Sequence, residues 1–454
     1  MKLYLILFAL VVAGISSQSQ SGQSPAELRN KAGALAKDGN WKEALEISRV
    51  VLDTVDDRES GKDLMDSLRY LRELRQVADA DELIESAVSR HSLNWGLLRQ
   101  AAKSYQQLQH SGFLLDGEFR RGYHRGGGSY VECMGRDRVR SIQLVRRAIE
   151  SVDENSAGVI SDLYSELAGY LAMGRTGVQM VWALGVRTNL VDLPDYGDEG
   201  RLSSGSGAPV DIKGRPLVLE VPQSWESAKN DGERWRWATN ESVRLAPEKE
   251  PQAKEQWARF LVQHYGVGTL AGFGRWMQQD PEEAEAVLQV HTLKETETIA
   301  KLASGVRRFD LAPDYQFIPL LRRLSTGKQS NAGLGDQLVQ VLLNRRQYAA
   351  GSRELKRVIA THGKGKGNHR QSLLDQIEGE WGRFEHAPMM QAGSKPKVSF
   401  VYRNAENLKL TLHALDIDQV VDDIFKHLEG NPREINGSKL DVARIGNRLV
   451  NENQ

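Results

Sequence analysis

Cysteine is almost absent: Cys133 is the only one among 454 residues. No internal disulfide and no multi-cysteine metal site can form, so stability must come from packing. Its surroundings, VECMG, supply no histidine base, and Cys133 reads as a small buried apolar side chain rather than a reactive thiol. An excess of either charge is missing as well, with 60 basic and 60 acidic side chains. Such a chain carries no overall positive field to hold nucleic acid or an anionic membrane, and no nucleic-acid partner is expected. Catalytic signatures are scarce. HExxH, GxSxG and GxxxxGK[ST] do not occur, and the ten histidines form no close pair. One S-x-x-K, Ser325 to Lys328, lacks the companion elements of serine acyl enzymes and reads as chance. The acidic clusters Asp53, Asp56, Asp57 and Asp280, Glu282, Glu283, Glu285 read as helix caps and solvated faces. No catalytic residue, metal or cofactor is expected.

Long apolar runs are confined to the start. MKLYLILFALVVAGIS places one lysine before an apolar run from Leu3 to Ala13, with Gly14, Ser16 and a polar Gln/Ser tract behind it. The run falls short of the roughly 18 to 20 apolar residues that span a bilayer. Residues 1–17 therefore read as a secretory signal peptide cleaved near Ser16 or Ser17. No cysteine follows for lipid attachment. The expected location is periplasmic or extracellular, with no stable membrane anchor after cleavage.

What the sequence does contain is helical periodicity. In residues 18–192, AELRNKAGALAKDGNWKEALEISRVVLD reads as two helices joined by a turn at Asp38, Gly39 and Asn40. Leu28, Ala32 and Leu35 share one face, and Ala44, Ile47, Val51 and Leu52 another. Gly39, Trp41, Ala44, Val51 and Leu52 resemble the turn, aromatic, small and large positions of a tetratricopeptide repeat. The pattern returns over residues 80–109, with Leu83, Ala87, Leu97, Leu98, Ala101 and Tyr105 at helical spacing, and over 334–359, without a strict period. In the third pair Leu334, Leu338, Val341 and Leu342 face Tyr348, Leu355, Val358 and Ile359. Helical hairpins bury their apolar faces only by stacking on neighbours. The fold class is mainly α: an irregular, tetratricopeptide-like α-solenoid.

Residues 193–216, rich in Gly, Ser, Pro and Asp, read as a long surface loop dividing two helical regions. The run Leu217 to Val221, between Pro216 and Pro222, reads as an isolated strand, and a second helical region continues to about residue 390. Trp235 and Trp237 stand two apart and cannot share a helical face, so at least one packs between helices; an aromatic platform for a sugar or base is the sharper alternative. From 391 to 454 the period becomes alternating. Val398, Phe400 and Tyr402, then Leu408, Leu410, Leu412 and Ala414 around an Asn404–Asn407 turn, read as a β-hairpin. An amphipathic helix stopped at Gly430 and a last helical stretch follow. A hairpin with trailing helices completes neither a sandwich nor a barrel, so the chain is expected to end inside a β domain.

RGYHRGGGSY, residues 121–130, is the stretch that most resembles a chemical device. Arg121, His124, Arg125 and Arg136 form a candidate anion site near the start of the helix that opens at about Asp137. The glycine spacing matches no nucleotide fingerprint. The alternative is a Gly-rich connection between helices whose arginines pair with Asp116, Glu118 and Glu132.

Several segments together resemble a known family. GEFRRGYHRGGGSYVECMGRDRVRSIQLV, LPDYGDEG with GAPVDIKGRP, SWESAKNDGERWRWA, HTLKETETIAKLASGVRRF, NRRQY, and LDQIEGEWGRFE leading to FVYRN and VDDIF are similar to the N-terminal portion of exported alpha-2-macroglobulin-like proteins of planctomycete-type bacteria. The resemblance implies a helical region ahead of macroglobulin β-sandwich domains, with residues 391–454 as the incomplete start of the first. Family members trap proteases, many through a Cys-x-Glu-Gln thioester. That motif is absent here, so no thioester or inhibitory residue is implied. The expected role is a non-catalytic exported scaffold for protein contacts in an endopeptidase-inhibitor system, with proteases or the rest of a macroglobulin-like assembly as partners. The rival is an exported enzyme or binding module for cell-wall polysaccharide, with its site between the two helical regions.

Overall fold

A computed structural model describes residues 23–173, 180–197, 217–267, 289–302, 305–326, 331–385, 393, 395, 397–411 and 416–430. The expected signal peptide, most of the 193–216 loop, the acidic run from Asp280, Lys328 and the last helical stretch lie outside them. The chain divides into two compact units, Met1–Arg370 and Gln371–Gln454.

In the first unit, α1 (Pro25–Lys37) starts on a capping box in which Ser24 accepts from the Glu27 N–H while the Glu27 carboxylate accepts from the Ser24 N–H. The expected turn follows, with Gly39 at φ +82°. Beyond it runs α2 (Trp41–Thr54), whose Ala44, Ile47, Val51 and Leu52 are buried. Next come α3 (Ser60–Glu73), α4 (Ala80–Arg90) and α5 (Trp95–Gln107). From Pro25 to Ser60 and from Ser60 to Trp95 is 35 residues each time. The opening hairpins thus keep a period close to the roughly 34 residues of tetratricopeptide repeats, which the sequence pattern conceals.

That register is then interrupted. In place of the expected connection between helices stands a three-stranded antiparallel sheet: β1 (Ser111–Leu115), β2 (Glu118–Arg121) and β3 (Ser129–Glu132), in order β2-β1-β3. Helices α6 (Met134–Ser151) and α7 (Ala157–Ala172) resume the stack, followed by the short α8 (Met180–Leu184). Helices α9 (Asp231–Leu245) and α10 (Glu250–Tyr265) come next. The Gly/Ser/Pro-rich segment does not divide the stack into separate bodies. Ser161 on α7 donates to the Ser242 carbonyl on α9 at 2.8 Å, and Arg138 on α6 pairs with Asp231 on α9 at 2.8 Å. Helices on its two sides share buried polar partners that neither side satisfies alone.

Leu217–Val221 is not a strand. Leu219 is buried, its N–H donates to the Tyr315 hydroxyl at 2.6 Å and its carbonyl accepts from Arg236 at 2.7 Å, so side chains take the place of a strand partner. A second unexpected ribbon, β4 (Glu297–Leu302) against β5 (Gly305–Asp310), precedes α11 (Phe317–Leu324), α12 (Ala332–Asn344) and α13 (Tyr348–His362). Leu334, Leu338, Val341, Leu342, Leu355 and Val358 are buried as their spacing predicts, but Tyr348 turns outward.

Among the described residues two large apolar cores run through this unit, beside a small cluster of Leu28, Ala32, Ile47 and Val51. One gathers α1 to α7 with Trp225 and Ala238, and the other gathers Val181, Leu184, Leu219 and residues of α10 to α12. Trp235 packs against both, and ring contacts extend from it to Trp257 and Phe260. Trp237 meets Tyr164 and Trp225 edge-on. Both tryptophans serve helix packing.

The second unit contains nearly all of α14 (His369–Glu378), then β6 (Trp381–Phe384), β7 (Phe400–Arg403) and α15 (Ile417–Gly430). The hairpin expected between 398–402 and 408–414 is replaced by pairing of β7 with the earlier β6, Phe384 opposite Phe400 and Trp381 opposite Arg403. Residues 407–411 form no strand. Asn404, at φ +58°, donates to the carbonyls of Ile377 and Gly379, which turns the chain back onto the end of α14 instead of into a second strand.

Helix spacing in the first hairpins rests on one glycine. A Cβ on Gly61 would stand 2.7 Å from the Gly96 carbonyl oxygen, so α3 and α5 touch backbone to backbone there. Gly61→Ala is expected to lower stability by about 1 to 3 kcal/mol through forced separation. Gly33→Ala, inside α1 where a Cβ would meet nothing within 4 Å, is expected to raise it by about 0.5 to 1 kcal/mol. Urea midpoints of the two variants check both signs.

Candidate functional site

The Gly-rich stretch lies on the inserted sheet. Alternation puts Gly112, Arg121 and Val131 on one face and Phe113, Arg120 and Tyr130 on the other. Gly128, at φ +105°, lets the chain pass beside β1: a Cβ there would meet the Leu114 carbonyl at 2.8 Å. The β2–β3 connection therefore needs glycine for clearance, with no phosphate-like cradle required.

Arg121 points inward, with its side chain 1% exposed. Its Nε and Nη2 donate to Asp81 at 2.8 and 2.7 Å, and Nη1 and Nη2 donate to Asp137 at 2.7 and 2.8 Å. Nη1 also reaches the Gln109 carbonyl and the Cys133 sulfur. His110 Nδ1 lies 2.8 Å from Asp137. Burial opposes the Asp137 charge, but hydrogen bonds from His110 and Arg121 outweigh it and hold the carboxyl below its usual range. Burial likewise opposes the Arg121 charge, and its two carboxylates reverse that effect. Cys133, beside them, is pushed up to about 12 by burial, so its thiol stays protonated and shielded.

The other candidates do not join it. Arg136 donates to the Pro194 carbonyl at 2.8 Å and lies over the Tyr196 ring. His124 rests against Phe113, ring centroids 6.1 Å apart, and Arg125 is exposed. Of the two readings of this stretch, pairing with acids is correct for Arg121, yet its partners are Asp81 and Asp137 rather than Asp116, Glu118 or Glu132. The four residues of the candidate anion site do not converge: Arg121 is neutralised inside, and Arg136 is held by a carbonyl and a ring.

A polar cleft of about 250 Å³ between α7, α9 and α10 has the chemistry closest to an active site. Ser165 Oγ lies 2.7 Å from Ser242 Oγ and 3.4 Å from Lys249 Nζ. Lys249 also pairs with Asp162 at 2.6 Å, so its Nζ is shared between a carboxylate and the serine pair. Ser325 is buried and bound by Arg357, a structural position. Among the described residues no group of three or more His, Cys, Asp or Glu side chains could hold a metal ion.

The buried ion pairs set the cost of removing a charge. Asp137→Asn leaves Arg121 with one carboxylate and is expected to cost about 3 to 5 kcal/mol in urea unfolding. Glu118→Gln, an exposed change on the same sheet, should stay within about 0.5 kcal/mol. His264 gives a pH dependence. Its two ring nitrogens have no hydrogen-bond partner among the described residues, and burial lowers it to about 4. Below about 6.5 the unfolded ring takes up a proton that the folded ring refuses until about 4, so stability falls as pH drops through that window, by up to about 3 kcal/mol. His264→Leu should flatten that stretch of the pH–stability curve.

No protein-family model matches the chain, and no curated protein matches it. Among solved structures, the chain is similar to "Assembly Chaperone of RpL4 (Acl4) (Residues 1-338)" at 15% identity and a TM-score of 0.27, over 78% of this chain and 98% of that one.

Proposed function

We propose that the chain is a non-catalytic scaffold of helical hairpins that acts through protein contacts, as the exported N-terminal region of an alpha-2-macroglobulin-like protease trap. The observation that carries the scaffold reading is the use of the charged side chains. Arg99 on α5 binds Glu166 on α7, Arg140 on α6 binds Glu85 on α4, and Arg322 on α11 binds Glu354 on α13. These groups fasten each helix to the one two places along the chain instead of converging on an open cleft. The macroglobulin and export elements of the proposal rest on the segment resemblance and on the apolar run at residues 3–13.

The enzyme reading rests on the Ser165–Ser242–Lys249 cleft, and the Asp162 ion pair speaks against it. Scaffold and export are open to one preparation. Native protein from a producing strain should be found in the exported fraction, begin near Ser17, and either exceed 50.7 kDa or co-purify with a polypeptide bearing macroglobulin domains. Recovery from the cytosol with Met1 intact, alone and at 50.7 kDa, would overturn it. Hydrolysis of a polysaccharide that is lost in Ser165→Ala would favour the enzyme instead.

A further inference from the structure

Two clefts meet on α3. One, of about 580 Å³, opens between α3 and α5 and is lined by Met65, Leu68, Arg72 and Leu108 together with Asp66 and Arg69. The other, of about 310 Å³, lies between α1 and α3 and is lined by Arg29, Lys37, Lys62 and Asp63 with the same Asp66 and Arg69. The two clefts adjoin across α3, where Asp66 and Arg69 line both, and are treated together as one groove.

Its charges do not balance. Both lining carboxylates are already bound, Asp63 by Arg29 at 2.7 Å and Asp66 by Arg69 at 3.1 Å. Lys37, Lys62 and Arg72 are exposed, and their side chains make no ion pair or hydrogen bond with a described residue. Among the described residues the groove thus presents three unpaired cations and no unpaired carboxylate, in a chain whose totals are 60 and 60. The lining is mainly apolar on the α3–α5 side and mixed on the α1–α3 side. Met65 is 47% exposed, and a thioether side chain adapts to varied apolar partners. Gly33 leaves open space above α1 where another residue would put a side chain.

We propose that this groove binds an acidic peptide segment of a partner protein, with an apolar side chain seated on Met65 and Leu68 and flanking carboxylates on Lys37, Lys62 and Arg72. The inference rests on the protein-contact reading above and names the chemistry of the partner. A single-stranded nucleic acid would need exposed rings on which bases stack, and the one ring lining the groove, Tyr70, is 2% exposed.

The test uses the full chain and a fluorescein-labelled peptide of repeated Glu-Glu-Leu, read by anisotropy. Binding is expected, weakening as NaCl rises from roughly 0.05 to 0.5 M. Lys37→Glu/Lys62→Glu/Arg72→Glu should weaken it about tenfold or more, since each exposed charge contributes up to about 1 kcal/mol. Met65→Gln should weaken it with the charges intact. Lys42→Glu/Arg49→Glu/Arg58→Glu changes net charge equally on exposed residues outside the groove and should bind as the parent does. Circular dichroism checks that each variant is folded. Equal loss in both triple variants, no loss in the groove variant, or equally tight binding of oligo-dT or of a Lys-Lys-Leu peptide would overturn the proposal. If the parent chain ignores the peptide yet still co-purifies with a macroglobulin polypeptide, the groove fails while the scaffold reading stands.

Discussion

The stack depends on a carboxylate that has no access to water. Asp231, 0% exposed, accepts from Arg138 of α6 at 2.8 Å, from Arg234 of its own helix at 3.1 Å, and from the Thr188 backbone at 3.1 Å. Arg138 also donates to the Leu171 carbonyl at the end of α7. Desolvating such an ion costs several kcal/mol unless every partner is in place. Helices α6, α7 and α9 and the segment around Thr188 must therefore assemble together or leave an unpaired charge inside. A hydrophobic stripe alone tolerates sliding between helices, whereas this constellation accepts one register.

The same device recurs where the repeat is broken. The inserted sheet is small, and a few strands alone are marginal in water. Arg121 fixes it to α4 through Asp81 and to α6 through Asp137, so the strands borrow the stability of the solenoid. Arg345 holds the second ribbon in another way. Fully buried, it donates to the carbonyls of Lys294 and Glu297, and burial lowers it to about 10. With arginines committed in this manner across the interior, the exposed Lys37, Lys62 and Arg72 of the α1–α3–α5 groove, which bind no described residue, are left for contacts outside the stack.

Much of the helical architecture is legible in the sequence because its signals are local. Apolar spacing locates Leu28 and Ala32, Leu97 and Leu98, Leu334 and Leu338 on buried faces, and Gly39 marks the first turn. The strands are not legible for the opposite reason. In β1 to β3 the face that carries Arg121 also holds Gly112, Leu114, Phe119, Ser129 and Val131, a mixture with no clean apolar alternation to detect. Likewise β7 looks as if it should pair forward, since the nearest alternating residues follow it, but its partner lies before it in β6. The candidate anion site fails on distance. Acids close in sequence are the natural candidates for Arg121, while its partner Asp81 is forty residues away and reaches it only after α4 and α6 are stacked.

Perturbed titration behaviour bears on function as well. Cys133, His264 and Arg345 are shifted far from their ordinary values, a pattern that elsewhere flags catalytic sites. Here burial is the leading cause each time, and none of the three side chains lines a described cleft. A shift becomes catalytic when the altered group also meets a ligand; these groups meet only neighbouring helices and strands. The groups that do face solvent in the clefts are either fixed in ion pairs, as Lys249 is, or are unpaired side chains such as Lys62 and Arg72. The proposed recognition of another chain would ask of the interior only that it hold the helices in register.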